Sequence, residues 1–253
     1  MDLSIEMIVL IVAGGFLAAF VDSVVGGGGL IAVPVLLAAG LPPHLALGTN
    51  KLAGTMSSLT SMITFARSGH IDTKLVKRLF PITVVGACGG TLLLQTIPSD
   101  FLRPLITALL VVITAYTLLR KSWGERQTYS KLTRRTGLAM AIAALGLGAY
   151  DGFFGPGTGS FLIFVFLLLG FDFVRAAGNA KVLNFGSNIA SLVTFMLLGS
   201  VDYRFGLLMG VSMVIGSLVG SRMAIRKGAS YVRPLFLVVS LLLIGKQVWT
   251  MLF

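Results

Sequence analysis

Four charged residues, Asp22, Lys51, Asp151 and Lys181, lie within or beside long apolar runs of the sequence. At the centre of a membrane helix, each such charge costs about 2.5–3.5 kcal/mol on insertion scales. The four side chains are therefore expected to face the protein interior and to compensate one another. The structural interpretation is two Asp–Lys ion pairs, either within each half of the chain or crossed between halves, and the sequence leaves both pairings open.

The surroundings of the two lysines favour a second interpretation, a binding site for a small anion. Amide and hydroxyl groups accompany both lysines, and Asn184 and Asn188 follow Lys181 on one helical face. The predicted substrate-binding residues are Gly26, Gly27, Gly28, Gly29, Thr49, Asn50, Lys51, Gly155, Gly157, Thr158, Asn179, Lys181, Asn184 and Asn188. Asp22 and Asp151 are predicted to serve as structural or coupling charges: they keep the lysines charged, accept backbone N–H bonds, or carry a proton.

Glycine-rich stretches follow both aspartates and predict interrupted membrane helices. Gly26–Gly29 are four glycines in succession, and each costs a helix about 1 kcal/mol relative to alanine. We expect a break there and a half-helix from Leu30. In the second stretch Pro156 enforces the break and Ser160 is expected to cap the next helix. The exposed N–H groups and dipole of a helix N-terminus favour anions.

Close helix packing is the alternative role for glycines in membrane proteins. Gly86 and Gly90, four residues apart, are predicted to serve packing in this way. For the four successive glycines the break remains the preferred interpretation, because interrupted segments at matching places in two halves mark the binding sites of many transporters.

The two halves of the chain are copies of each other. An offset of 129 aligns Asp22 with Asp151, and an offset of 130 aligns Lys51 with Lys181 and Arg103–Leu105 with Arg233–Leu235. Matched charges and a matched Arg-Pro-Leu do not arise from composition alone. The sequence therefore predicts a duplicated unit.

The composition indicates an all-α integral membrane protein. Charged residues make up 11% of the chain, against about 25% in soluble domains, and the mean hydropathy is +0.95. We expect about eight to ten membrane segments in two inverted repeats with glycine-broken half-helices. The predicted segments are 4–24, 29–39, 44–67, 75–97, 101–120, 136–150, 159–170, 174–199, 203–225 and 231–252. Whether 29–39 and 159–170 cross fully or re-enter is left open.

The basic residues predict how the chain is divided and oriented. They cluster between the apolar runs, as in cytoplasmic loops. The predicted units are a first repeat at 1–120, a cytoplasmic basic linker at 121–135 and a second repeat at 136–253. With an odd number of segments per repeat, the copies face opposite ways and both termini are expected to lie outside.

Other classes of function find little support in the sequence. The basic residues behind the net charge of +11 cluster between the apolar runs, where they indicate which loops are cytoplasmic. No nucleic acid partner is therefore expected. The glycine run lacks the Gly-Lys-Ser/Thr ending of a nucleotide loop, and Cys88, the only cysteine, excludes a cysteine-based metal cluster. We therefore expect no enzyme, cofactor or metal. The expected partners are a small anionic substrate and membrane lipid, with a homo-oligomer left open.

The motifs around both breaks resemble the sulfite exporter TauE/SafE family, in its YfcA-like branch. In the first half the resemblance is carried by Asp22-Ser23, the four glycines, Pro34 and Thr49-Asn50-Lys51-Leu52. In the second half it is carried by the run 150–156, Gly159-Ser160-Phe161, Ala180-Lys181 and Ser187-Asn188-Ile189. The resemblance implies an inner-membrane transporter of small sulfur-containing anions such as sulfite or organosulfonates, with direction differing among members.

Together these features predict a secondary transporter that moves a small, sulfur-containing anion by alternating access. A gated anion channel and a non-transporting membrane scaffold, whose buried ion pairs only specify packing, are the alternatives. A channel shares the site but gives passive flux, whereas a scaffold tolerates apolar replacement of an Asp–Lys pair.

Overall fold

The computed structural model of the chain describes residues 4–94, 127–129 and 133–252. These residues form nine helices and no strand, which confirms the all-α prediction for the described part. The helices are α1 (Ile5–Val25), α2 (Gly29–Ala38), α3 (Pro43–Arg67), α4 (Thr73–Leu93), α5 (Arg134–Phe153), α6 (Thr158–Leu168), α7 (Phe173–Leu197), α8 (Tyr203–Lys227) and α9 (Ala229–Leu252). The predicted segment at 101–120 lies outside the described residues.

Five of the described helices, α1, α4, α5, α7 and α8, are long and apolar enough to cross a membrane by length and composition. The helices α2 and α6, with 10 and 11 residues, are too short for a full crossing, which needs about 20. The central helix α3 has 25 residues but carries many polar side chains, most of them buried. The protein is thus a multi-pass membrane protein with polar groups inside.

The outward faces of the helices are apolar. On α5, Leu138 and Ile142 are each 64% exposed and lie four residues apart on one face. On α8, Leu207, Val211 and Ile215 continue the same spacing and are also exposed. A soluble protein would place polar side chains on such faces, so this distribution fits contact with lipid.

Both predicted glycine breaks are present. The helix α1 ends at Val25, and Gly26 (φ 79°) and Gly27 (φ 86°) turn the chain before α2 begins. In the second half, α5 ends at Phe153, and Gly155 (φ 91°) and Gly157 (φ 93°) turn the chain before α6. Positive φ values of this size favour glycine because it lacks a Cβ atom. The half-helix α2 begins at Gly29, one residue before the predicted start.

The predicted cap at Ser160 is wrong. Gly157 occupies the N-cap position of α6, and no side chain caps that helix. The hydroxyl of Ser160 instead donates to the carbonyl oxygen of Val25, 3.0 Å away at the end of α1. A Cβ atom on Gly26 would collide with the backbone of Ser160. The two breaks therefore touch, and the bond that Ser160 makes joins the two halves of the chain.

The two halves pack on each other reciprocally. The most extensive helix contacts join α1 to α8 and α4 to α5, so the first long helix of each half packs on the fourth helix of the other. Gly86 lies against the backbone of Leu145 and Ala149, and Gly216 lies against the backbone of Phe16. The packing role predicted for Gly86 is confirmed, as is that of Gly90, which also abuts Ala149. These matched contacts are consistent with an inverted repeat.

The two ends of the molecule differ at the turns that follow α2 and α6. Near Gly40, an open cleft of about 510 Å³ is lined by residues that include Pro42 and Tyr203. At the corresponding turn, the N–H of Thr128 donates to the carbonyl of Gly170 at 2.7 Å, and the Tyr129 ring stacks on Phe171 with centroids 4.2 Å apart. Burial and the Asp72 carboxylate raise the pKa of the Tyr129 phenol, and the positive charge of Arg78 opposes them in part.

Candidate functional site

A small polar cavity lies where the two breaks meet α3 and α7. Its volume is about 40 Å³. The sequence-predicted residues that line it are Asp22, Gly27, Gly28, Gly29, Asn50, Lys51, Asp151, Gly155, Gly157, Asn184 and Asn188. Residues from both halves of the chain thus meet in one site, although they are far apart in sequence.

The first ion pair joins α7 to α1. The ammonium of Lys181, which is fully buried, lies 2.5 Å from Oδ2 of Asp22, whose side chain is 18% exposed. The other carboxylate oxygen, Oδ1, accepts the backbone N–H of Gly28 at 3.1 Å. Asp22 therefore neutralises a lysine and also holds the turn that starts α2.

The second ion pair joins α3 to α5 and is more deeply enclosed. The ammonium of Lys51 lies 2.9 Å from Oδ1 of Asp151, with the two side chains only 2% and 3% exposed. The same ammonium donates to the backbone carbonyl of Asp151 at 2.5 Å. Oδ2 of Asp151 is buried and has no hydrogen-bond partner in the described part of the chain. Gly155 leaves space for the ammonium, because a Cβ atom there would lie 2.8 Å from Nζ.

The pairs are crossed between the halves, which answers the question that the sequence left open. Each lysine lies on the third helix of its own half and binds the aspartate that precedes the break in the other half. Removing one partner of such a pair would leave an uncompensated buried charge. The pairs therefore fix the position of each break relative to the opposite half.

Two predicted binding residues lie away from the cavity. The backbone N–H of Asp202 donates to Oγ1 of Thr49 at 2.9 Å, and that of Asp72 donates to Oδ1 of Asn179 at 2.8 Å. Thr49 and Asn179 occupy matching positions of the two halves, and both are fully buried. Their side chains anchor the turns before α8 and α4.

The remaining predicted residues lie at the edge of the site. Oγ1 of Thr158 donates to the carbonyl of Gly155 at 2.7 Å and closes the second turn. Gly26 packs against Ser160. Lys181 does not line the cavity itself but is paired with Asp22, which does. These residues support the turns and charges that line the cavity.

The sequence reasoning missed several residues of the cavity wall. Gly54, Ser57 and Met213 line it together with Ala18, Ala19 and Gly159. The hydroxyl of Ser57 is buried and finds no hydrogen-bond partner among the described residues. Ser57 and Ser187 also match at the offset of 130, and that match was a usable signal, whereas Gly54 and the apolar residues carried none.

The groups around the cavity include one ammonium, neutral hydrogen-bond donors and the carboxylates of Asp22 and Asp151. The ammonium of Lys51 supplies positive charge, and Asn50, Asn184 and Ser57 supply neutral donors. A volume of about 40 Å³ holds a few water molecules or one small ion, well below the roughly 300 Å³ at which sites for drug-sized ligands begin. The cavity as it stands admits a compact ligand only.

An apolar outer surface, two broken helices in contact and a buried, charge-paired cavity define a multi-pass membrane protein with an internal polar site. The sulfite exporter TauE/SafE family model matches residues 11–246. The chain therefore belongs to the sulfite exporter TauE/SafE family and is a membrane transporter of that type. Membership implies a small-molecule substrate and contact with membrane lipid.

Individual relatives agree with this assignment. A probable membrane transporter protein, ORF9 of Sinorhizobium sp, is 39% identical over 96% of this chain and 92% of its own length. The probable membrane transporter protein YfcA of Escherichia coli K12 is 39% identical over 92% of this chain and 86% of its own length. One from Haemophilus influenzae is 35% identical over 98% and 97%. No solved structure matches the chain.

Proposed function

We propose that this protein is a secondary transporter that moves a small sulfur-containing anion, sulfite or a small organosulfonate, across the cytoplasmic membrane by alternating access. The observation that carries the proposal is the cavity at the junction of the two broken helices, where Lys51 and Lys181 are paired with aspartates of the opposite half. In secondary transporters with inverted repeats, substrates bind at such a junction near the membrane midplane.

The chemistry of the cavity supports an anion as the substrate. An ammonium has three N–H groups, and in the described part of the chain the hydrogen-bonded contacts of Lys51 are the two to Asp151, so one N–H is left for a ligand. A tetrahedral or pyramidal oxyanion offers several acceptor oxygens to the donors from Asn50, Ser57 and Asn184. The sulfur chemistry itself rests on the family, whose description is sulfite exporter.

The way the halves are joined supports alternating access. The crossed pairs and the Ser160–Val25 hydrogen bond connect each break to the other half, so relative motion of the halves must alter the cavity. The open cleft near Gly40 and the covered turn at Gly170 fit a molecule that is open toward one side at a time. We place the 121–135 linker in the cytoplasm, because the basic residues cluster in the linker and in the loops on its side. Both termini then lie outside.

Flux in proteoliposomes tests the proposal. Purified protein is reconstituted, and uptake of sulfite and methanesulfonate is followed with and without a pH gradient across the membrane. A transporter gives saturable uptake, accumulation above the outside concentration and exchange between internal and external anion. Passive, non-accumulating flux would identify a gated channel instead. Absence of flux for both anions, from folded protein, would overturn the proposed substrate class.

A further inference from the structure

The charges of the site balance when it is empty. Lys51 and Lys181 carry one positive charge each, and Asp22 and Asp151 carry one negative charge each, in two ion pairs whose lysines are buried. An anion that enters the cavity adds a negative charge to this enclosed set. A buried charge without compensation is strongly unfavourable, so a positive charge must accompany the anion.

The two aspartates are not equivalent as acceptors of that charge. Both carboxylate oxygens of Asp22 are in use, Oδ2 on Lys181 and Oδ1 on the N–H of Gly28. In Asp151 only Oδ1 faces an ammonium, and Oδ2 is buried without a hydrogen-bond partner among the described residues. The carboxylate of Asp151 therefore has a free oxygen at the place where charge must be compensated.

In the described part of the chain, Lys51 is the one charged residue in direct contact with Asp151. Lys51 comes from α3, and Asp22 lies across the cavity on α1, where Lys181 of α7 neutralises it. On its own helix, Tyr150 donates its hydroxyl to the carbonyl of Pro156. The residues that α2, α6 and α8 contribute to the described cavity lining are uncharged, namely Gly29, Gly159 and Met213. The helix α4 contributes no residue to that lining.

We propose that the transporter couples each monovalent anion to one proton, and that Asp151 carries the proton. The inference rests on the proposed function. A proton from water on one side binds Oδ2 of Asp151 and forms an O–H bond. Lys51 keeps its three protons and exchanges the carboxylate for the anion as its ionic partner. On the other side the anion and the proton leave, and the Lys51–Asp151 pair forms again. The charge of the site stays at zero throughout.

A metal cation does not fit the same place. It would lie beside the ammonium of Lys51, which is 2.9 Å from Oδ1 of the same carboxylate. Hard cations also take about six oxygen ligands, and the free oxygen of Asp151 is enclosed. A proton needs neither the space nor the ligands.

The test uses methanesulfonate, which stays a monoanion from acidic to alkaline pH and brings no proton of its own. Proteoliposomes of the wild-type protein are loaded with a pH-sensitive dye, and proton movement, tracer uptake and tracer exchange are recorded together. We expect one proton per methanesulfonate, no effect of an imposed membrane potential, and about tenfold accumulation for a gradient of about one pH unit.

Three variants assign the proton to a residue. Asp151→Asn keeps the shape but removes the proton site, so uptake is expected to lose its response to the pH gradient and to respond to membrane potential. Asp151→Glu retains a carboxyl group and is expected to restore proton movement. Asp22→Asn removes the carboxylate of the other pair and is expected to lower the amount of folded protein, because Lys181 loses its partner, but the uptake that remains is expected still to carry one proton per methanesulfonate.

The outcomes separate the two proposals. Exchange of methanesulfonate without proton movement, or accumulation driven by sodium alone, overturns the coupling and leaves the transporter standing. Absence of wild-type exchange overturns the proposed function for sulfonates, and the coupling with it. Proton coupling that persists in Asp151→Asn but disappears in Asp22→Asn would assign the proton to the other aspartate.

Discussion

Lys51 and Asp151 form the more deeply buried of the two ion pairs at the cavity. Their side chains are 2% and 3% exposed, and the lysine also binds the carbonyl of its partner. Truncating one member of such a pair leaves the other charged in a region of low dielectric constant. Replacing both members by apolar residues removes both charges together.

We predict opposite stability effects for the single and double replacements of this pair. Lys51→Met is expected to destabilise the protein by about 3–5 kcal/mol, whereas Lys51→Met with Asp151→Leu is expected to be neutral or stabilising. Thermal unfolding in detergent measures both effects. Lys74→Met, at an exposed lysine of α4, is the control and should change stability by less than about 0.5 kcal/mol. Equal destabilisation of the single and double variants would contradict the assignment of a mutually compensating pair.

At this scale the residue types could be predicted from the sequence, but their contacts could not. Charged residues in apolar runs must be compensated, so the four charges were evident. Their crossed pairing follows from how the halves pack, which no local pattern encodes. Thr49 and Asn179 each lie two residues before a lysine, and residues two apart do not share a helical face. Proximity in sequence to a lysine therefore does not bring Thr49 or Asn179 to the cavity.

The helices approach one another through glycines, and this sets the geometry of the site. On α4, Gly86 lies against the backbone of Leu145 on α5, while Gly89 has no atom within 4 Å of a Cβ position. The two glycines lie on the same helix and differ only in the face that they occupy. Alanine at either position gains the same helical preference, but only at Gly86 does the added methyl group meet the neighbouring helix. Comparing the two substitutions therefore isolates the effect of packing.

We expect Gly86→Ala to destabilise the protein by about 1–3 kcal/mol, because the added methyl group forces α4 and α5 apart. Gly89→Ala is expected to leave stability unchanged or to raise it by up to about 1 kcal/mol, since alanine favours helix. Thermal unfolding and transport assays of both variants check this prediction. Similar behaviour of the two variants would contradict the close helix contact.

The breaks could be predicted because glycine runs and proline act locally on the backbone. The cap at Ser160 could not, since the carbonyl of Val25 competes for its hydroxyl and comes from the opposite half of the chain. Capping rules describe a helix end in water, whereas this helix end is packed against another break.

The duplicated halves give the whole molecule a reciprocal construction. The backbone N–H of Asp72 is bound by Asn179, and that of Asp202 is bound by Thr49, so each turn is anchored by the matching residue of the other half. The duplication was evident from the sequence because charged residues and one Arg-Pro-Leu run match at offsets of 129 and 130. The direction of each half relative to the membrane remains a prediction from basic residues.

We predict that the ends of α3 and α7 lie on opposite sides of the membrane. Ser68 and Leu198 are exposed, occupy matching positions and are suitable for single cysteines in a Cys88→Ser background. In intact cells an impermeant thiol reagent should label Leu198→Cys, whereas Ser68→Cys should react only after the membrane is opened. Labelling of both from the same side would refute the inverted repeat.

The central claim is that the crossed ion pairs form part of the wall of the substrate site. Exchange of labelled sulfite in proteoliposomes tests it most directly. The comparison is between the wild-type protein and the double variant Lys51→Met with Asp151→Leu, after both are shown to be folded. We predict saturable exchange for the wild type and none for the double variant, because the anion loses its charged partner. Exchange by the double variant at the wild-type rate would contradict the claim and place any transport pathway elsewhere in the molecule.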